Sequence, residues 1–260
     1  MERFINKIRQ VIGEMSRTHM WRSFFRRRHD DTRRSRTLAI VGNFFMHLHP
    51  VMIARQAIKP NHTWCMGGIT FFLFLFLTLT GVLLMFYYHP DTRNAYWDVK
   101  DLKYNVVFGS ILRNTHRWGA HLMVITVMIH MFRVFMTGSY KPPREFNWVV
   151  GVILLVLTFL LSFSGYLLTW DQLGFWAITV GTNMARATPF LGHEGPFGEQ
   201  LGMTAFNDIR FAILGGSEVG GNALLRAYIW HCIAFPLMTS ILMGLHFWRV
   251  RKDGGSTGQL

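Results

Sequence analysis

Residues 66–88 read MGGITFFLFLFLTLTGVLLMFYY, an unbroken run of 23 uncharged positions. A membrane-crossing helix needs roughly 20 apolar residues, so this run predicts one. Residues 148–168, WVVGVILLVLTFLLSFSGYLL, predict a second. Two further apolar stretches, 118–136 and 226–248, carry histidines within them. The pattern therefore predicts an all-α membrane protein, a bundle of four transmembrane helices.

The remaining segments divide the chain. Residues 1–37 form a polar, arginine-rich arm. Residues 38–63 alternate short apolar runs with His and Pro, which predicts an amphipathic helix on the membrane surface. Residues 64–250 are the four-helix domain, and 251–260 a polar tail. The connection at 89–112 opens on the turn signal His89-Pro90-Asp91. The second and third spans are joined by a short turn through Pro142-Pro143. About 55 residues join the third and fourth, a length that usually carries function. Their start, DQLGFWAITVGTNMA, predicts short surface helices, and the Gly/Pro-rich stretch 188–203 an irregular excursion.

Composition agrees with the pattern. Half of the residues are hydrophobic and 16% are charged, too apolar for a water-soluble domain of this length. The net charge of +13 raises the question of nucleic acid, and its distribution answers it. Residues 1–37 hold eleven Lys/Arg against four acids; Lys141, Arg144, Arg249, Arg251 and Lys252 follow at the other junctions of the same side. The opposite connections are balanced or acidic. This positive-inside distribution predicts cytoplasmic termini, in a bacterial inner (plasma) membrane or an equivalent energy-transducing membrane. The arm suits anionic lipid, not nucleic acid. The start is basic and amphipathic, unlike a cleaved signal. Cys65 and Cys232 fall near opposite ends of their spans, too far apart to pair.

Ionisable residues within membrane helices mark function by default. The second span carries His116 and His130, fourteen residues apart; the fourth carries His231 and His246, fifteen apart. At ~100° and ~1.5 Å per residue, each pair returns to one helix face with a rise of about 21–22 Å. The two spans run in the same direction, so His116 meets His231 at one level and His130 meets His246 at the other. Two imidazoles facing each other in a bundle core suit the axial positions of a haem iron. Gly67 and Gly81 on the first span, and Gly151 and Gly165 on the third, repeat the fourteen-residue interval. They predict room for two haem planes, although close helix packing also uses glycine. Arg113 and Arg117 flank His116, and Arg133 follows His130 by one turn, where they can hold propionates.

The segments HRWGAH…HMFR at 116–133, KPPREFNWVVG at 141–151 and HFWRVRKDGG at 246–255 resemble the cytochrome b family of Rieske/cytochrome b complexes, in its split, cytochrome b6-type form. The resemblance spans residues 45–255. It implies a di-haem subunit of a quinol:cytochrome c oxidoreductase, inactive alone. His116 and His231 would bind the outer, low-potential haem b, and His130 and His246 the inner, high-potential one. It implies as partners a C-terminal cytochrome b or subunit IV-like chain, a Rieske iron–sulfur protein and a c-type cytochrome, in a dimeric complex. Cys65, in TWCMGGIT, resembles the cysteine that attaches an extra haem c by one thioether. Thr169-Trp170-Asp171-Gln172 resembles the family's Pro-Trp-Asp-Gln beside the outer quinol pocket, with Thr in place of Pro. Tyr166, Trp170, Asp171, Gln172, Phe175 and Trp176 are its candidate lining. His47, His49 and His62 are weaker candidates for the inner quinone, and His121 lies 140° from His116, off the ligand face. The competing reading of the histidines is a di-haem membrane anchor of a dehydrogenase or hydrogenase; a third is a non-redox scaffold or transporter.

Overall fold

The computed structural model describes residues 2–18, 20, 21, 59 and 63–253, and among these all regular structure is helical. The surface helix expected at 38–63, with His47, His49 and His62, lies outside the described residues but for residues 59 and 63. Eight helices are labelled in chain order: α1 (Glu2–Arg17), α2 (Met66–Met85), α3 (Ala95–Tyr104), α4 (Gly109–Met136), α5 (Glu145–Leu167), α6 (Gln172–Ala185), α7 (Ile209–Leu214) and α8 (Gly221–Lys252). Four of them, α2, α4, α5 and α8, are long and apolar enough to cross a membrane. Their backbone polar groups are satisfied inside the helix, as hydrocarbon requires.

The chain forms two compact units. One comprises Met1–Gly67, Val127–Leu154 and Ile241–Leu260; the other comprises Gly68–Thr126 and Leu155–Ser240. In the first, Arg249 is fully buried with its Nη2 3.5 Å from Asp253 Oδ2 one turn on, and its guanidinium lies 5.1 Å from the Phe146 ring. The Arg133 guanidinium stacks on Trp64 at 4.7 Å. Such flat cations tolerate burial when both charge and face are matched.

The second unit holds the connections. Leu167, Ile178, Leu214, Ala223 and Ala227 pack the end of α5 with α6, α7 and the start of α8 into one core. Asp171 caps α6, accepting from the Gly174 N–H at 2.8 Å, and Asp208 caps α7, accepting from the Phe211 N–H at 2.8 Å. The buried Asp208 also faces His193 Nδ1 at 2.5 Å. Burial opposes its charge, but the Phe211 N–H and His193 hold its carboxyl below the usual carboxylate range. Gly215 ends α7 in the left-handed conformation (φ 71°), and a side chain there would meet the Arg226 guanidinium, which donates to the Ala212 carbonyl. The stretch expected to be irregular at 188–203 is held by turns and a 3₁₀ turn, Glu199–Leu201. Tyr88, stacked on Tyr228 at 5.7 Å, donates to the Leu168 carbonyl at 2.7 Å.

Candidate functional site

In the second unit, α4 and α8 bring His116 and His231 together, with ring centres 6.4 Å apart and planes at 78°. The first unit repeats the arrangement: His130 and His246 lie 6.4 Å apart at 81°. That spacing is too long for a direct hydrogen bond between the rings. It fits an atom held between them. Two metal–nitrogen bonds of about 2.0–2.1 Å, each with about 1.1 Å from nitrogen to ring centre, add to about 6.3 Å.

The hydrogen bonds of one pair set which nitrogen is free. His231 Nδ1 lies 3.0 Å from the Leu161 carbonyl, which can only accept, so Nδ1 carries the proton and Nε2 keeps its lone pair. Ser164 Oγ sits 3.3 Å from the same nitrogen. His116 Nδ1 lies 2.8 Å from Thr80 Oγ1, whose own proton points to the Phe76 carbonyl at 2.9 Å. An Nδ1–H of His116 can donate to Thr80, which leaves Nε2 bare. Second-shell bonds of this kind fix a metal-binding histidine's tautomer and ring orientation.

Each candidate glycine stands against one of these rings. A Cβ built on Gly81 would lie 3.3 Å from His116 Cε1, and one on Gly165 only 2.5 Å from His231 Cε1. For Gly67 the nearest atom is His130 Cε1 at 3.5 Å; for Gly151 it is Met131 Sδ at 3.7 Å, then His246 Cε1 at 3.8 Å. The sequence reading assigned these glycines to haem planes. In the structure Gly67, Gly81 and Gly165 each face an imidazole, and Gly151 faces Met131 and an imidazole, so every one of them lies beside a paired histidine.

Arg133 meets Trp64, next to Cys65 in the chain. Arg117 is exposed, and Arg113 lines a small hollow with Lys100, Lys103, Thr169 and Asp171. Cys65 is exposed, immediately precedes α2, and has a left-handed backbone (φ 54°). Cys232 is also a free thiol, half-buried beside His231. His121 is exposed and packs edge-on against Trp118 at 5.7 Å.

An open cavity of about 530 Å³ is lined by Tyr96, Trp170, Asp171, Gln172, Leu173 and Phe175. Four of the expected pocket residues are there. Tyr166 and Trp176 are not among its lining. Tyr166 lies in the last turn of α5, and the Trp176 indole N–H turns back to Gln172 Oε1 at 3.3 Å. Trp170 takes a left-handed backbone (φ 45°), an uncommon state for a bulky residue and one found at binding sites. Tyr96, on α3, was missed because AYWDVKDLKY has no helical apolar period. Thr80 and Ser164 were missed too, although the sequence holds their signal: a hydroxyl residue directly precedes Gly81 and Gly165. The fifteen-residue interval between His231 and His246 contains a wide, π-helical turn at Trp230–Ala234, where the Phe235 N–H reaches the Trp230 carbonyl. Pro236 cannot donate into the regular ladder, and the wide turn takes up the extra residue.

The family model described as Cytochrome b/b6/petB matches residues 53–254. Cytochrome b6 of Porphyra purpurea and that of Gracilaria tenuistipitata var. liui are each 39% identical over 204 residues, covering 78% of this chain and 88% of theirs. A chain of a hyperthermophilic respiratory Complex III matches with a TM-score of 0.67 and 25% identity, over 86% of this chain. This chain spans about half of that longer one, 54%.

Proposed function

This chain belongs to the cytochrome b/b6 family, multi-pass proteins of energy-transducing membranes, and on that premise we propose that it is the di-haem subunit of a quinol:cytochrome c oxidoreductase. The observation that carries the proposal is the pair of matched imidazole clamps, each 6.4 Å between ring centres. His116 with His231, and His130 with His246, would each hold one haem b. Bound between these imidazoles, a haem would supply reversible one-electron exchange. Leu161 and Thr80 hold two of the rings in the ligating tautomer, and the glycines let all four lie against helix backbone. Arg113, Arg117 and Arg133 supply cations for the propionates. The excess of Lys and Arg near both termini supports a cytoplasmic position for the two ends of the chain.

The cavity at Tyr96, Trp170 and Phe175 is the part of the outer quinol site that this chain contributes. Its aromatic walls suit a quinol ring. A subunit IV-like chain completes the site, a Rieske iron–sulfur protein takes the first electron, and a c-type cytochrome follows. The family membership sets aside the reading as an anchor of a dehydrogenase or hydrogenase. Quinol-driven reduction of cytochrome c by the purified complex tests the proposal. Phe175→Ala should lower that rate about tenfold through lost ring contact, with haem content unchanged. An undiminished rate in a haem-replete variant would place quinol elsewhere.

Cys65 is the candidate anchor of a third haem, of c type. Its thiol is exposed, and it lies two residues before Gly67, which packs on His130. A thioether survives denaturation, whereas a haem held only by histidines is released when the helices separate. Haem staining after denaturing electrophoresis should mark a band near 30 kDa, the mass of this 30.2 kDa chain. The stain should vanish in Cys65→Ser. An unstained band from a haem-replete preparation removes the third haem.

A further inference from the structure

The family model's match begins at residue 53, so α1 lies outside the matched region. Its sequence, ERFINKIRQVIGEMSR, has a sharp division of faces. At ~100° per residue, Ile5, Ile8, Val11, Ile12 and Met15 fall within an arc about 120° wide. All five are exposed, between 43% and 56%. Lys7 and Arg9 stand about 100° to either side of Ile8, one on each flank of the apolar arc. Gln10 and Glu14 lie on the far face, joined by a 3.1 Å hydrogen bond. Directly after the helix, residues 18–37 add seven arginines against two aspartates.

We infer that α1 is an interfacial helix that seats its Ile5/Ile8/Ile12/Met15 face in the anionic lipid surface of the membrane in which the chain is embedded. Three observations select this occupant. The chain is a membrane protein, so a lipid surface is within reach of its N-terminus. The apolar arc is wider than the two-position seam of a coiled coil, and both flanks are cationic. Two copies paired through this face would bring Lys and Arg against each other, whereas paired helices set opposite charges at those positions. Anionic headgroups complement both flanks at once, with the Lys7 and Arg9 stems lying along the apolar surface and their charges at the phosphates. The arginines that follow extend the same complementarity.

The test uses the whole complex in vesicles of phosphatidylcholine and phosphatidylglycerol with brominated acyl chains. A fluorescent label is placed on Ile8→Cys, Gln10→Cys, Ile12→Cys or Glu14→Cys in turn, with the unsubstituted complex giving the background. Labels at 8 and 12 should be quenched by lipid at least about twofold more than those at 10 and 14. Adding Lys7→Glu and Arg9→Glu should lower the quenching at 12 about twofold, with the haem spectrum unchanged as the check on folding. Equal quenching at all four positions overturns the proposal. So does protection of 8 and 12 from both brominated lipid and aqueous iodide, which would mean that a protein covers the face. Quenching at 12 that ignores the charge reversal overturns the anionic part of the proposal.

Discussion

His130→Ala should leave a folded chain that has lost one haem b and kept the other. The four histidines divide between two compact units: His130 and His246 in one, His116 and His231 in the other. Each pair has its own glycines, and the His116/His231 pair has its own hydrogen bonds to Thr80, Ser164 and Leu161. Removing one imidazole takes away an iron ligand and opens a cavity where a half-buried ring stood, a change of a few kcal/mol that falls on that unit. About half of the b-type absorbance should remain in the reduced-minus-oxidised spectrum, because a six-coordinate site needs both of its histidines. His246→Ala should give the same spectrum. Equal loss of both haems from a folded variant would show that the pairs are wrongly assigned.

The glycines give the second large effect, and the structure ranks them. Gly165→Ala places a methyl group 2.5 Å from His231 Cε1 and 3.0 Å from both ring nitrogens. The ring cannot swing aside freely, since Nδ1 is bonded to the Leu161 carbonyl at 3.0 Å. Overpacking of this kind costs typically about 1–3 kcal/mol. Here it falls on a ligand, so the haem of the His116/His231 pair should be lost or its midpoint potential shifted. Gly81→Ala meets its ring at 3.3 Å and should shift the same haem less; Gly67→Ala, at 3.5 Å, makes an ordinary contact and should leave the other haem in place. Alanine is a better helix former than glycine by about 1 kcal/mol, so helix disruption does not explain a loss. Potentiometric titration of the three variants separates them. Identical behaviour of Gly165→Ala and Gly67→Ala would mean that the contact with His231 does not govern the site.

The four spans and the histidine pairing were legible because both are periodic signals. An uninterrupted apolar run has few competing explanations, and a fourteen-residue interval returns a side chain to the same face. The ends of the helices were less legible. α4 starts at Gly109 and not at 118, because Arg113, Asn114, Thr115, His116 and Arg117 break the apolar run without breaking the helix. The start of α8 at Gly221, five residues before the apolar stretch at 226, is hidden in the same way by Gly221 and Asn222. The glycines were found by their spacing, but which group they accommodate depends on which helix packs on which, and that is a tertiary fact. The cavity shows the same division. Trp170 and Phe175 lie within or just after the Thr169–Gln172 segment, whereas Tyr96 reaches the cavity from a helix 74 to 79 positions earlier in the chain, a juxtaposition that only folding creates.

The most direct test of the di-haem assignment is the amount of extractable protohaem per chain in the purified complex, together with its redox titration. Two extractable haems per chain, titrating as two b-type components, is the expected result. One extractable haem, or none, in a folded and active complex would contradict the assignment of His116 with His231 and His130 with His246 as two separate axial pairs.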